Sequence, residues 1–197
     1  MRREPEAVSI KKLVGYKNCI SIDPSSNSLA WAVINYDNKL IGTGKISLGK
    51  GSSMSAKLQS INDQLPEILS KYKVDRAVIE QSVYIQNFQS SRILSYIIGH
   101  TFGEIIRCNI QCEDVSPLSW KPGIGYKNLS KREVEELKKQ GIDLSNQAKL
   151  KTERKDRVRR IIMMAYGKDI ENIEDDDIVD AIGIGLWYHL KYAARAI

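Results

Sequence analysis

The sequence predicts a layered α/β domain, a mixed five-stranded sheet flanked by helices, and three observations carry that prediction. Strand-like runs cluster early in the chain. Two longer segments with apolar residues at helical spacing follow, each leading into a short apolar run. The chain then closes on a helix-like segment rich in Ala, Gly and large apolar residues. Residues 19–23 and 29–35 are β-branched or apolar and are separated by the turn-forming Pro24-Ser25-Ser26-Asn27. Asp37-Asn38 then marks a tight hairpin turn into a third strand over residues 40–48.

After the Gly51-Ser52-Ser53 break, Ala56, Leu58, Ile61, Leu65, Ile68 and Leu69 recur with the spacing of one helical face, and Pro66 marks a kink or boundary within it. Residues 76–80 read as a short buried strand. Ile93, Leu94, Ile97, Ile98, Phe102, Ile105 and Ile106 define a second helix, and residues 110–115 a fifth strand. Beyond Pro117 the pattern weakens. Pro122-Gly123-Ile124-Gly125 reads as a turn, residues 129–139 as a polar, exposed helix and residues 141–146 as a loop. Residues 154–166 and 176–192 are helical again, the last suited to packing against a sheet. The order βββαβαβ, completed by a buried helix, matches the RNase H-like arrangement.

The length of 197 residues and a hydrophobic content of 42% suffice for one domain with a full core. No apolar run reaches membrane-spanning length. The start, Met-Arg-Arg-Glu-Pro-Glu, lacks the apolar stretch of a signal peptide, so a cytoplasmic protein is expected. Cys19, Cys108 and Cys112 are odd in number and form no CxxC pair, which argues against a disulfide framework or a zinc site and for buried thiols.

Net charge is +6, and its distribution says more than its size. Residues 121–160 hold 13 Lys or Arg against 6 Asp or Glu, whereas residues 169–180 hold seven carboxylates and no base. A nuclease needs that juxtaposition, cations for phosphates and carboxylates for a metal. A solvated basic surface followed by an acidic helix start would give the same counts.

Asp23 and Glu80 each fall at the end of a predicted strand, and Asp177 and Asp180 lie one helical turn apart at the start of the last helix. Side chains leaving the ends of adjacent strands converge at one sheet edge, and residues three apart share a helix face. Four carboxylates gathered in this way repel one another unless hard, oxygen-preferring divalent cations neutralise them. Mg2+ is the natural choice, Mn2+ its substitute, and two ions per site the expected number. Each residue also has a plainer explanation. Asp23 before Pro24 and Ser25 suits a turn, and Asp177 and Asp180 suit a helix N-terminus, with Asp176 a competing partner at i, i+4 from Asp180. Glu80, ending Ala-Val-Ile-Glu-Gln, is harder to explain away, because a carboxylate ending a buried strand is costly without a partner.

Three segments, Ser21-Ile22-Asp23-Pro24-Ser25-Ser26, Ala77-Val78-Ile79-Glu80-Gln81 and Asp177-Ile178-Val179-Asp180-Ala181-Ile182, resemble in order the acidic motifs of the RuvC-type Holliday-junction resolvases. The stretch from Glu80 through Asn87 to Gly99, and Val115-Ser116-Pro117 followed by Lys121, extend the likeness over roughly residues 18–125 and 150–190. The resemblance implies a magnesium-dependent endodeoxyribonuclease with catalytic Asp23, Glu80, Asp177 and Asp180. It implies a homodimer that nicks a four-way DNA junction symmetrically. Lys121 and Lys155, the latter within Arg154-Lys155-Asp156-Arg157, stand at positions where the family uses lysines near the catalytic acids, which implies a catalytic part in phosphate contact or transition-state stabilisation, with generic backbone binding the plainer reading. Tyr84, Asn87, Phe88, Arg154 and Arg157 are the further DNA-contact candidates. Val83 occupies the register of the family's aromatic wedge, so Tyr84 or Phe88 would have to substitute for it by stacking on an exposed base.

Two departures, a basic N-terminal extension (1–17) and an inserted basic segment (about 123–151), suggest a divergent, phage-like member within a single nuclease domain spanning 1–197. A relaxed preference for forks, flaps or other branched DNA is consistent with them, as is a solvated linker helix. The competing readings are another RNase H-like enzyme (an RNA:DNA hybrid nuclease or a transposase-type domain), a non-catalytic branched-DNA binder, and half of an actin-like ATPase. Length disfavours the last, and four matched carboxylates disfavour a silent binder.

Overall fold

The computed structural model describes residues 17–82, 88–141 and 147–193. Five strands, β1 (Asn18–Pro24), β2 (Ser28–Asn35), β3 (Leu40–Ser47), β4 (Arg76–Glu80) and β5 (Gln111–Val115), form one sheet in the order β3-β2-β1-β4-β5. β1, β2 and β3 pair antiparallel, and β4 and β5 join parallel to β1. The expected element order and mixed five-stranded sheet are therefore present. The hairpin turn between β2 and β3 has Asn38 at φ 60°, a left-handed conformation that Asn tolerates better than most residues.

Strand alternation divides the core into two layers. Ile20, Ile22, Trp31, Val33, Ala77 and Ile79 face helices α1 (Met54–Lys71) and α2 (Phe88–Arg107). Cys19, Ala30, Ala32, Ile34, Val78 and Val115 face α3 (Pro117–Gly123), α5 (Gln147–Tyr166) and α6 (Asp176–Ala193). Between α3 and α5, α4 (Lys131–Lys139) buries no residue and is held at its start by a Ser130–Glu133 capping box, as suits the polar helix expected there.

Three local expectations need correction. Of the kink or boundary expected at Pro66, the boundary is excluded, since α1 runs through it. A proline inside a helix costs about 3 kcal/mol, but Ile61, Leu65 and Leu69 on either side are buried, and each such side chain contributes about 1.5–3 kcal/mol. The segment after Val115 is a helix, α3, rather than a featureless stretch before a turn. Ser116 caps it by accepting a hydrogen bond from the Leu118 N–H, and Pro117 begins it. α5 begins at Gln147 instead of 154, because its first two turns are good helix formers without an apolar face. The end of the inserted segment is thus continuous with a helix on the layer that carries the acids.

Cys19 is buried, Cys108 and Cys112 are half-buried, and all three are free thiols. Among the described residues, no helix is long and apolar enough to cross a membrane. The N-terminal extension before Lys17, and the loop expected at 141–146 apart from Gly141, lie outside the described residues.

Candidate active site

Strand parity determines which way the first two acids point. Asp23 and Ser21 share a face of β1, and Glu80 and Val78 share a face of β4; both faces are the one covered by α6. β1 and β4 pair parallel through Ile22↔Ile79, so Asp23 and Glu80 occupy the next step together at the carboxyl edge of two adjacent central strands. α6 lies close over this edge. The Ser21 hydroxyl donates to the Ala181 carbonyl at 2.6 Å, and a Cβ on Gly185 would lie 2.7 Å from Ser21 Oγ and 2.6 Å from Ile34 Cδ1, so only glycine permits the approach. Asp180, just before Ala181, is thereby brought over Asp23 and Glu80.

The electrostatics reflect that convergence. Burial pushes the Asp23 carboxyl well above its usual range, and the charges of Glu80, Asp180 and Asp177 push it further, with Lys121 opposing. Among the described residues its carboxylate has no hydrogen-bond or ion-pair partner. Burial raises Glu80 to about 7, against the pull of the Trp120 indole N–H and Lys121 and with a push from Asp180. Asp180 is raised by burial despite Lys121, whose Nζ is 3.5 Å from Asp180 Oδ2. Asp177 sits at the rim, paired with Lys45 at 2.8 Å; Lys45 also binds Asp175 at 2.6 Å. Asp176 turns away to Lys155 at 3.1 Å and Arg159 at 2.9 Å. Asp177, whose charge acts on both Asp23 and Asp180, is therefore the better placed of the two adjacent aspartates.

Asp23, Glu80 and Asp180 suit a hard divalent cation: their donors are carboxylate oxygens whose burial raises their proton affinity, and the neighbouring negative charges raise it further. Among the described residues, no three acids, histidines or cysteines are gathered tightly enough to coordinate one ion as the side chains stand. Each acid but Asp23 is held by another donor: Glu80 by Trp120, Asp180 by Lys121 and Asp177 by Lys45.

Lys121 and Asp180, with Lys151, Arg154, Lys155 and Asn128, line a cleft of about 300 Å³. Three of the expected cations thus share a cleft with Asp180. Arg157 is elsewhere, bound to Glu133 of α4 at 3.3 Å and Glu153 at 3.5 Å. Phe88 opens α2 with 74% of its surface exposed, while Tyr84 and Asn87, like Val83, lie outside the described residues. Sequence reasoning missed Trp120, Lys45 and Lys151. The Ser116-Pro117 start of α3 could have signalled that Trp120 sits on a helix; a lone lysine between Gly44 and Ile46 gave no such signal for Lys45.

The raised acids have a consequence for stability without added metal. The folded protein retains protons on Glu80 that the unfolded chain releases, so the contribution of Glu80 to stability is highest below the ordinary value of 4.5 and declines until pH passes about 7. Asp23 and Asp180 act in the same direction. In EDTA, the melting temperature is expected to fall between about pH 5 and 7 more steeply in the native protein than in Glu80→Gln, which loses one of these groups. Equal slopes for the two proteins would show that Glu80 does not titrate in this window.

A sequence profile of the family described as crossover junction endodeoxyribonuclease RuvC matches residues 19–159. The chain is 34% identical over 101 residues to the crossover junction endodeoxyribonuclease RuvC of Ehrlichia ruminantium strain Welgevonden, covering 48% of this chain and 61% of that protein. It is 28% identical over 130 residues to the Fusobacterium nucleatum protein of the same name, covering 64% and 68%. The chain thus spans about three fifths of the length of the first relative. In three dimensions it is similar to Thermus thermophilus RuvC in complex with a Holliday junction substrate, with a TM-score of 0.66, 12% identity, and coverage of 91% of this chain and 96% of that one. The profile match takes in Asp23, Glu80, Lys121 and Lys155 and stops before α6.

Proposed function

The chain belongs to the crossover junction endodeoxyribonuclease RuvC family, and from that premise we propose that it is a structure-selective endonuclease that resolves four-way DNA junctions by paired, symmetric nicks. The observation that carries this reading is the convergence of Asp23, Glu80 and Asp180 into one desolvated, mutually repelling group beside a cationic cleft. Asp23, Glu80, Asp177 and Asp180 would hold the ions. When bound there, Mg2+, or Mn2+ in its place, would supply Lewis acidity for activating water and steadying the leaving oxygen, with two ions per site the number proposed.

The chain's own residues do the rest. Lys121 holds a non-bridging oxygen of the scissile phosphate and steadies the charge that develops there. Arg154 and Lys155 fix the neighbouring backbone, which sets register without reading sequence. Phe88 offers an exposed ring on which an unpaired base can stack. Two copies in a homodimer bring two such sites to one junction, in the cytoplasm of a bacterial or phage-infected cell. Residues 1–197 act as one nuclease unit, to which the extension and the inserted segment add phosphate contacts.

The test is a cleavage assay with Mg2+ on a synthetic four-way junction, a fork, an RNA:DNA hybrid and a plain duplex. Nicks in two like strands of the junction are expected, with the fork cut more slowly and the hybrid and duplex spared. Preferential cutting of the hybrid would replace this reading with that of a hybrid nuclease. Junction affinity should also fall by on the order of 10³ or more between about 50 and 200 mM salt if six to ten phosphates are neutralised.

A further inference from the structure

Trp120 is fully buried in the layer between the sheet and α6, although the short helix that carries it is otherwise largely polar or exposed. Three contacts account for its position. Its indole Nε1–H donates to Glu80 Oε2 at 2.5 Å. Its ring lies against α6 where Gly183 leaves room; a Cβ there would be 2.7 Å from Trp120 Cζ3. The ammonium of the next residue, Lys121, stands 4.9 Å from the ring centroid. One side chain thus touches the acid at the end of β4, the helix that carries Asp180, and the lysine that faces both.

We propose that Trp120 is a positioning residue for the nuclease site, fixing the Glu80 carboxylate through its indole N–H so that Oε1 is left to face a divalent cation. The inference rests on the reading of Asp23, Glu80 and Asp180 as metal ligands. Its physical basis is the chemistry of the donor. An indole N–H gives one hydrogen bond, accepts none and carries no charge, so it orients a carboxylate without competing for the cation as a lysine or arginine would. Full burial of the indole also shields the bond from competing water. Partners of this kind orient metal-binding carboxylates, and losing one typically lowers metal affinity about 10–100-fold.

The experiment combines titration with spectroscopy. Trp120→Phe keeps an aromatic ring in the cavity and removes the N–H. Its Mn2+ affinity, measured by calorimetry, is expected to fall about tenfold or more, while four-way junction binding in EDTA stays within about twofold. The chain's three tryptophans give three indole N–H signals in a 1H–15N spectrum, and the one absent from Trp120→Phe belongs to Trp120. In the native protein that signal should move on adding Mg2+, and Glu80→Gln should shift it without metal. Loss of a merely structural tryptophan would leave Mn2+ affinity native, whatever its indole signal does in Glu80→Gln. Native Mn2+ affinity in Trp120→Phe, or a Trp120 signal indifferent to Glu80→Gln, overturns the proposal while leaving the metal site standing. A native protein that takes up no Mn2+, even with junction DNA, overturns both.

Discussion

Asp23→Asn is expected to abolish junction cleavage and, in EDTA, to raise the melting temperature. The two effects have one cause. Asp23 is buried beside Glu80 and Asp180, and among the described residues it has no partner of its own, so its charge is the least compensated of the set. An amide of the same shape removes that repulsion. A gain of about 1 kcal/mol would raise the melting temperature of a chain this size by about 2–4 °C. The same change deletes a metal-binding oxygen, and the loss of cleavage should exceed the roughly 10–100-fold that follows removal of a second-layer partner. Differential scanning fluorimetry with and without Mg2+ separates the two effects. The native protein should gain stability from the ion, and Asp23→Asn should gain little. A variant that melts lower than the native protein in EDTA while still cutting junctions would remove Asp23 from the site.

Lys121→Met should lower the cleavage rate by roughly 10²–10³-fold, the scale on which loss of a donor to developing charge is felt, with junction affinity nearly unchanged. The ammonium lies 3.5 Å from Asp180 Oδ2 and draws down the proton affinity of Asp23 and Glu80, so it is the positive charge most central to the acids. As one phosphate contact among several, it should reduce the salt dependence of binding by only about one unit of slope. Single-turnover cleavage at saturating protein isolates the chemical step. If the rate there is native and only affinity falls, Lys121 is a backbone-binding residue and nothing more.

Much of this site was legible before any coordinates because strands obey a period of two. A carboxylate closing an apolar strand, as Glu80 does, must leave the core at the sheet edge, and Asp23 in the parallel neighbour meets it there. Asp180, preceding Ala181 and Ile182, could be assigned to the buried face of its helix by the same reasoning. The separate roles of Asp176 and Asp177 were not legible. They depend on Lys155 and Arg159 reaching one and Lys45, from the edge strand β3, reaching the other. Arg157 looked equivalent to its neighbours in sequence, but Arg154 and Lys155 lie on the cleft side of α5 while Arg157 meets Glu133 of α4. Trp120 was hidden for a further reason. Its partner is 40 positions away, and the helix that presents it is too short for apolar periodicity to register.

The parallel pairing of β1 with β4 makes the chemistry depend on parity. If a single residue were deleted between positions 18 and 22 and the strands kept their pairing, the carboxylate of residue 23 would rotate to the opposite layer, toward Ile61 and Leu65 beneath α1, and Glu80 would be left facing α6 alone. Changing the strand by two residues restores the orientation. Odd-numbered length changes in β1 should therefore silence the protein where even-numbered ones displace the acid but keep it on the working side.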